Sequence, residues 1–325
     1  PEWLYALSRH SILLNLAKAF AFTGDKRYRD SFIRMMESYL TVTSCTAEHF
    51  STSWRSLETG IRPENWVRSI ELFEASGAPL PDSLLSCMED ALHDHIRQLE
   101  DTHRAFQRLS NWGVIQDHGL FIAGAAVGDD EAVSIALSRL EEELTHQALS
   151  CGEHWEQSPM YHLEVLHSAI DTVLAARRLG IAMPQTVEEK TKLLSKGLYD
   201  MTLPGGSIIP TGDSDEMDAS DLIYLAAYLF SLPFDARKAE ENWWDLGSEE
   251  KGGDAEERKS VFHQASGNAF LRSGTLTAHM VSGLLGSGHG HISPLHVDIA
   301  IGDRVIVTDA GRFTYTDTAE REMLK

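Results

Sequence analysis

Between Leu284 and Phe313 the sequence LLGSGHGHISPLHVDIAIGDRVIVTDAGRF gathers three histidines and three aspartates among glycines and alternating aliphatic residues. His289 and His291 stand one residue apart. On an extended chain, residues i and i+2 share a face, so the two imidazoles can converge on a single atom. Asp309 follows a "GD" hairpin and lies within reach of the same face. Two histidines and an aspartate suit zinc. A short HxH flanked by glycine also fits a catalytic histidine or a plain glycine-rich turn.

Four other polar segments sit within strongly apolar surroundings. In RLSNWGVIQDHGLFIAGAAVG, Ser110 and Asn111 are N-cap candidates for a helix that is apolar all round and therefore buried. In CGEHWEQSPMYHLEVLHSAID, His154, Glu156, Tyr161 and His162 surround Ser158-Pro159, a helix start that places Tyr161 in the first turn. In SLETGIRPENWVRSIELF, Arg62 and Asn65 flank Trp66. An arginine fork binds carboxylates and an indole stacks on sugar rings, although a surface ion pair has the same signature. In IIPTGDSDEMD, Asp213, Asp215, Glu216 and Asp218 fit a metal loop, a pair of glycosidase acids or an exposed polar turn; without EF-hand spacing the turn is the default.

These groups need a frame. With 325 residues, 42% hydrophobic and 24% charged, the chain can build one large globular domain or two ordinary ones. A formal charge of -21 argues against a broad electrostatic grip on nucleic acid or an anionic membrane surface. Cys45, Cys87 and Cys151 lack CxxC spacing, so neither a disulfide framework nor a thiolate zinc knuckle is indicated. No run of about 18 apolar residues reads as a transmembrane helix. The sequence begins without methionine and ends inside a β-rich pattern, so it reads as a fragment, and its compartment stays open.

Up to about Phe230 the apolar residues recur every three or four positions, as in HSILLNLAKAFAFTG and HSAIDTVLAARRLGI. Glycines and prolines at Gly24, Gly77, Pro81, Gly128, Gly180 and Pro184 mark the ends of nine or ten helical segments, consistent with helical hairpins stacked into an array or a closed ring. Residues 233–260 are polar, charged and interrupted by Gly252 and Gly253, the composition of a connector. From 261 the period becomes two, with Gly302-Asp303 in a hairpin position. The fold class is α+β multidomain: a helical region over 1–232, a connector, and the start of an antiparallel sheet domain over 261–325.

Taken in order, LETGIRPENW, NWGVIQDHGLFIAG, GEHWEQSPMYHLEVL, PTGDSD, ASGNAFLRSG and GHGHISPLHVDIAIGDRVIVTDAGRFTY resemble the heparinase II/III-like polysaccharide lyases, from about Leu57 to Tyr315. The resemblance implies an incomplete (α/α) toroid over 1–232 followed by an antiparallel β-sandwich domain. It implies β-elimination on a uronic-acid polysaccharide, a glycosaminoglycan of the heparan, chondroitin or hyaluronan type, with alginate or another polyuronate as the alternative. Abstracting the C5 proton next to a carboxylate adds charge to charge, so a donor must hold that carboxylate first. The resemblance assigns that task to Asn111, with help from Arg62, and makes Tyr161 and His289 the acid and base. If the proton and leaving group share a face, Tyr161 serves both steps; if not, His289 is base and Tyr161 acid. Arg62, Asn65, Trp66, Trp112, His118, His154, Glu156 and His162 are expected to line the substrate site.

Some members of the family hold a structural zinc, and the resemblance carries His291 and Asp309 onto two of its ligands, the third falling beyond Lys325. No organic cofactor is implied. The acidic polysaccharide is the expected partner, without nucleic acid or membrane. Two departures stand near the expected uronate site: Trp112 where many relatives have histidine, and Gln157 where many have arginine. Other functions compatible with the residues are an (α/α)-toroid glycoside hydrolase using Asp213 and Glu156, and a glycan-binding protein without turnover. The chain's acidity leads one to expect Arg62, Arg104 and Arg108 near the cleft, with acids on the outside.

Overall fold

The structure is a computed structural model that describes residues 2–309, 311, 312, 314 and 318–324. Phe313 and Tyr315, at the end of the last resembling segment, lie outside the described residues. By contacts the chain forms two units, one of residues 1–108 and 112–140 and the other of 109–111 and 141–325. The connector expected at 233–260 therefore separates helices from sheet inside the second unit.

The first unit holds α1 (Glu2–Ser8), α2 (Ser11–Thr23), α3 (Lys26–Val42), α4 (Ser56–Ala75), α5 (Asp82–Thr102), α6 (Ala105–Arg108), α7 (Asn111–Val127) after its first residue, and the beginning of α8 (Asp130–Gln147). Helix ends follow local chemistry. Gly24 takes φ 69° just past α2 and returns its N–H to the Phe20 carbonyl, and the Asp25 carboxylate then accepts the Arg27 amide to start α3. Helix α2 packs on both α3 and α4, around a core that includes Phe20, Phe32, Trp54, Trp66 and Phe73. The apolar α7 is buried as expected, with Val114, Leu120, Phe121 and Ala123 fully covered. It approaches α4 through glycine: a Cβ on Gly119 would lie 2.0 Å from the Gly60 carbonyl oxygen.

The second unit continues through α8 to α9 (Pro159–Leu179), α10 (Gln185–Asp200) and α11 (Ser220–Phe230), with both α10 and α11 packed on α9. Pro159 opens α9 and Gly180, at φ 69°, closes it. The connector carries one short helix, α12 (Asn242–Leu246), and Glu249 and Glu250 accept hydrogen bonds from Tyr228 and Tyr224 of α11. Next comes an antiparallel five-stranded meander, β1 (Val261–His263), β2 (Asn268–Ser273), β3 (Leu276–Val281), β4 (Val297–Ile301) and β5 (Arg304–Val307). A last helix, α13 (Ala319–Leu324), follows.

The predicted hairpin is present: Ile301 pairs with Arg304 across Gly302-Asp303, and Gly302 has φ 59°. Phe270 and Ala300 face Met201, Leu203 and Ile209, while Phe262, Leu271, Ile301 and Val305 are exposed. Among the described residues no helix is long and apolar enough to cross a membrane.

Candidate active site

Three loops of the second unit meet at the N-terminus of α9. One precedes the helix (154–158), one is the PTGDSD segment, and the third joins β3 to β4 and carries GHGH. Ser214 accepts the Met160 amide at 3.2 Å and bonds the Ser158 hydroxyl at 2.8 Å, fastening the second loop to the helix start. The Asp213 amide donates to the His289 carbonyl at 2.9 Å, and the Ser287 amide to the Trp155 carbonyl at 3.1 Å. Gly286 lies against Gln157, where a Cβ would sit 2.7 Å from the Gln157 side chain. Gln157 itself adopts φ 51°, a left-handed conformation uncommon for a residue with a side chain.

Within this junction the Tyr161 and His289 rings stack, 3.5 Å between centroids and 8° from parallel. Behind them stands Asp213, almost wholly buried. One of its oxygens meets His289 Nδ1 at 3.1 Å and the other meets His291 Nε2 at 2.9 Å. The histidines do converge, and the point of convergence is one carboxylate. They reach it from a loop rather than a strand face: 282–296 is irregular, with Gly288 at φ 75°, so strand alternation does not govern where the rings point. An ionised carboxylate accepts only, so Nδ1 of His289 carries the proton and Nε2 is left as the lone-pair nitrogen; this tautomer is assigned from the hydrogen bond.

Asn111 opens α7 but does not cap it. Its backbone N–H donates to Glu156 Oε1 at 3.1 Å, and its side-chain amide donates to the two Glu156 oxygens at 3.3 and 3.0 Å. Glu156 is thus the anion at the helix N-terminus. Burial raises its carboxyl above the usual range against the Asn111 hydrogen bonds that lower it. The expected neutraliser already holds a carboxylate, the protein's own.

Residues 1–232 match the family described as heparinase II/III N-terminus. The chain belongs to the heparinase II/III family. A heparin-sulfate lyase of Bacteroides thetaiotaomicron is 23% identical over 210 residues, 62% of this chain and 30% of that protein. A crystal structure of a heparan sulfate lyase mutant from Pedobacter heparinus superposes with a TM-score of 0.72 at 18% identity, covering 98% of this chain and 52% of that one. A crystal structure of heparinase III gives 0.76 at 19% identity, covering 95% and 50%. The chain thus spans about a third to a half of the relatives it matches. The likeness shows the expected fold class, an incomplete (α/α) toroid followed by antiparallel sheet.

Several residues that the heparinase II/III resemblance placed at the substrate are internal. The Arg62 guanidinium is fully buried, donating to His95 Nε2 at 3.0 Å and to the Ser8 and Ser53 carbonyls, and packing on Trp54. Asn65 donates to the Arg9 carbonyl and Trp66 to His10 Nδ1, both from buried positions. His118 is buried on α7. His162 accepts the His154 amide on Nδ1 and donates from Nε2 to the Leu194 carbonyl, and burial lowers its pKa to about 4. His154 faces Gln147 at 2.8 Å, and burial holds it well below the ordinary histidine value. These side chains fill the interior with neutral or hydrogen-bonded groups. Trp112 differs: half-buried, it lies edge-on to exposed Phe106 and beneath the Arg55 guanidinium, 5.0 Å from its ring centre. Arg104 and Arg108, flanking Phe106, are exposed.

The two expected zinc ligands each have a partner within the protein. The Asp309 carboxylate accepts the Gly311 amide at 2.8 Å, and His291 is turned to Asp213. Asp213 is the site residue that sequence reasoning underrated. It reads in sequence as a metal-loop acid, a glycosidase acid or part of an exposed turn, and the histidines it joins lie 76 and 78 positions away.

Proposed function

We propose that this chain carries the catalytic centre of a polysaccharide lyase that acts by β-elimination on a uronate-containing glycosaminoglycan of the heparan class, the class named for its relatives. The observation supporting this reading is the Tyr161–His289 stack with Asp213 on the far nitrogen of the imidazole. His289 Nε2 takes the C5 proton. The C5–H electrons form the C4=C5 double bond as the C4–O4 bond breaks, and Tyr161 gives its proton to O4. The imidazolium then gives the captured proton to solvent and the phenolate takes one back from it, so no water is consumed overall. Asp213 stabilises the imidazolium while it exists. Asn111, whose side-chain amide is now held by Glu156, would exchange that carboxylate for the uronate carboxylate as its neutral donor.

The hydrolase reading fares worse, because both acids it needs are engaged: Asp213 with two imidazoles, Glu156 with Asn111. The test is incubation with heparan sulfate, chondroitin sulfate, hyaluronan and alginate while following the ultraviolet absorbance of the unsaturated uronate. Absorbance with heparan sulfate, lowered at least about a hundredfold by Tyr161→Phe and by His289→Ala, is expected. Saturated products without absorbance, or binding unaffected by Tyr161→Phe without cleavage, would overturn the proposal.

A further inference from the structure

Away from the GHGH loop, the second unit brings a thiol, a carboxylate and an imidazole to one point. Cys151 and Glu153 leave the same tight turn, in which the Gly152 amide donates to the Leu149 carbonyl and the Leu149 amide to the Glu153 carbonyl, both at 2.9 Å. Gly152 sits at φ 92°, and a Cβ there would lie 2.5 Å from the Leu193 carbonyl oxygen, so the turn is pressed onto α10 and its geometry is fixed. His263 ends β1. One ligand atom from each of Cys151, Glu153 and His263 lies within 4.8 Å of the others, and Glu153 and His263 are buried.

We propose that Cys151, Glu153 and His263 form a binding site for a divalent transition metal, zinc by its donor chemistry, with water as the fourth ligand. Thiolate, imidazole and carboxylate together suit zinc rather than calcium or magnesium, which take all-oxygen shells. Bond lengths of about 2.0–2.3 Å in a tetrahedron put ligand atoms roughly 3.3–3.6 Å apart. The present cluster reaches that spacing with small side-chain shifts, including opening the 2.6 Å contact between His263 Nδ1 and Glu153 Oε1.

The surroundings supply a second, independent indication. A metal-bound histidine usually gives its other ring N–H to a carboxylate, and His263 Nε2 lies 3.1 Å from Asp200 Oδ2. The Glu153 carboxylate is steered by Ser266 at 2.8 Å and by Asn268 at 2.7 Å, and Ser266 in turn lies 3.9 Å from Cys151 Sγ. The competing account, an ion pair of protonated His263 with Glu153 and Asp200, leaves the thiol a long hydrogen bond to Ser266 and no direct contact with the ion pair. On binding, the metal displaces the thiol proton and the Nδ1 proton, which leave to solvent. The bound ion would tie the turn before α9 to β1. It is distinct from His291 and Asp309 and does not rest on the lyase reading.

The experiment uses the full chain, stripped with a chelator and titrated with Co²⁺ and separately with Zn²⁺. The expected result is a near-ultraviolet thiolate-to-cobalt charge-transfer band saturating at one ion per chain, unchanged in His291→Ala and lost in Cys151→Ser and His263→Gln. Zinc should raise the melting temperature of the unsubstituted chain and leave that of Cys151→Ser unmoved. Cys151 is half-buried, so its serine variant keeps the fold even if His263→Gln does not. No thiolate band in the unsubstituted chain, or a band that survives Cys151→Ser, overturns the assignment.

Discussion

Replacing Asp213 by asparagine tests the site at its least visible part. The shape is kept, and so is the backbone hydrogen bond from residue 213 to the His289 carbonyl. What changes is that two acceptor oxygens become one acceptor and one NH₂ donor. In the native site both oxygens accept, at 3.1 Å from His289 and 2.9 Å from His291. Whichever way the new amide turns, one imidazole must present a lone pair to it. If that is His289, the proton moves to Nε2 and the base is gone. If it is His291, His289 keeps its tautomer but loses the anion that stabilises its charged form. Hydrogen bonds to charged groups contribute about 1.5–3 kcal/mol. At about 1.4 kcal/mol per decade, the milder outcome is a fall in kcat of roughly ten- to a hundredfold, and the tautomer swap costs more. Because Asp213 is almost wholly buried behind the rings, KM should hardly move. The unsaturated-uronate assay on Asp213→Asn, with thermal unfolding alongside, decides it. A folded variant with kcat within twofold of the parent would refute the idea that this carboxylate sets the protonation of His289.

Three further outcomes concern the frame. Arg62→Ala should destabilise by about 2–5 kcal/mol, because it leaves a cavity and orphans the buried Ser8 and Ser53 carbonyls and His95 Nε2; a raised KM with unchanged stability would instead restore the substrate role. Gly119→Ala should cost about 3 kcal/mol or more, since its Cβ would collide with the backbone of Gly60, and an unchanged denaturation midpoint would contradict the close crossing of α4 and α7. Burial depresses His10 to about 3 and His162 to about 4, and holds His95 and His154 well below the ordinary 6.5. They stay neutral in the fold while the unfolded chain protonates below 6.5, so their contribution to stability is whole above that pH and is lost as the pH drops towards 4. The loss is about 1.4 kcal/mol per pH unit for each imidazole, and urea midpoints that stay level from pH 7 to 5 would contradict it.

How far the sequence could be read depended on whether a residue's meaning was local. Helix-period apolar residues and the Gly24, Pro159 and Gly180 boundaries carry their own conformational preferences, as does the Gly302-Asp303 hairpin, and all appear where they were read. Depth is not local. Arg62 beside Trp66 reads the same on a sugar-binding wall as in a core, and only the packing of α2 and α5 on α4, with α3 on α2 and α5, makes it internal. The GHGH segment failed differently. Alternation assumes a continuous strand, and the glycines that make the segment conspicuous also release it from strand geometry. Its rings are aimed by a carboxylate that no local pattern announces. That bears on the roles of the two histidines. A reading in which His289 does chemistry and His291 holds a metal behind it treats them as separable, yet a single buried carboxylate accepts from both. What one imidazole does with its proton alters the charge felt by the other. His289, Asp213 and His291 are therefore one hydrogen-bonded unit, and moving either imidazole alters what the Asp213 carboxylate offers the other.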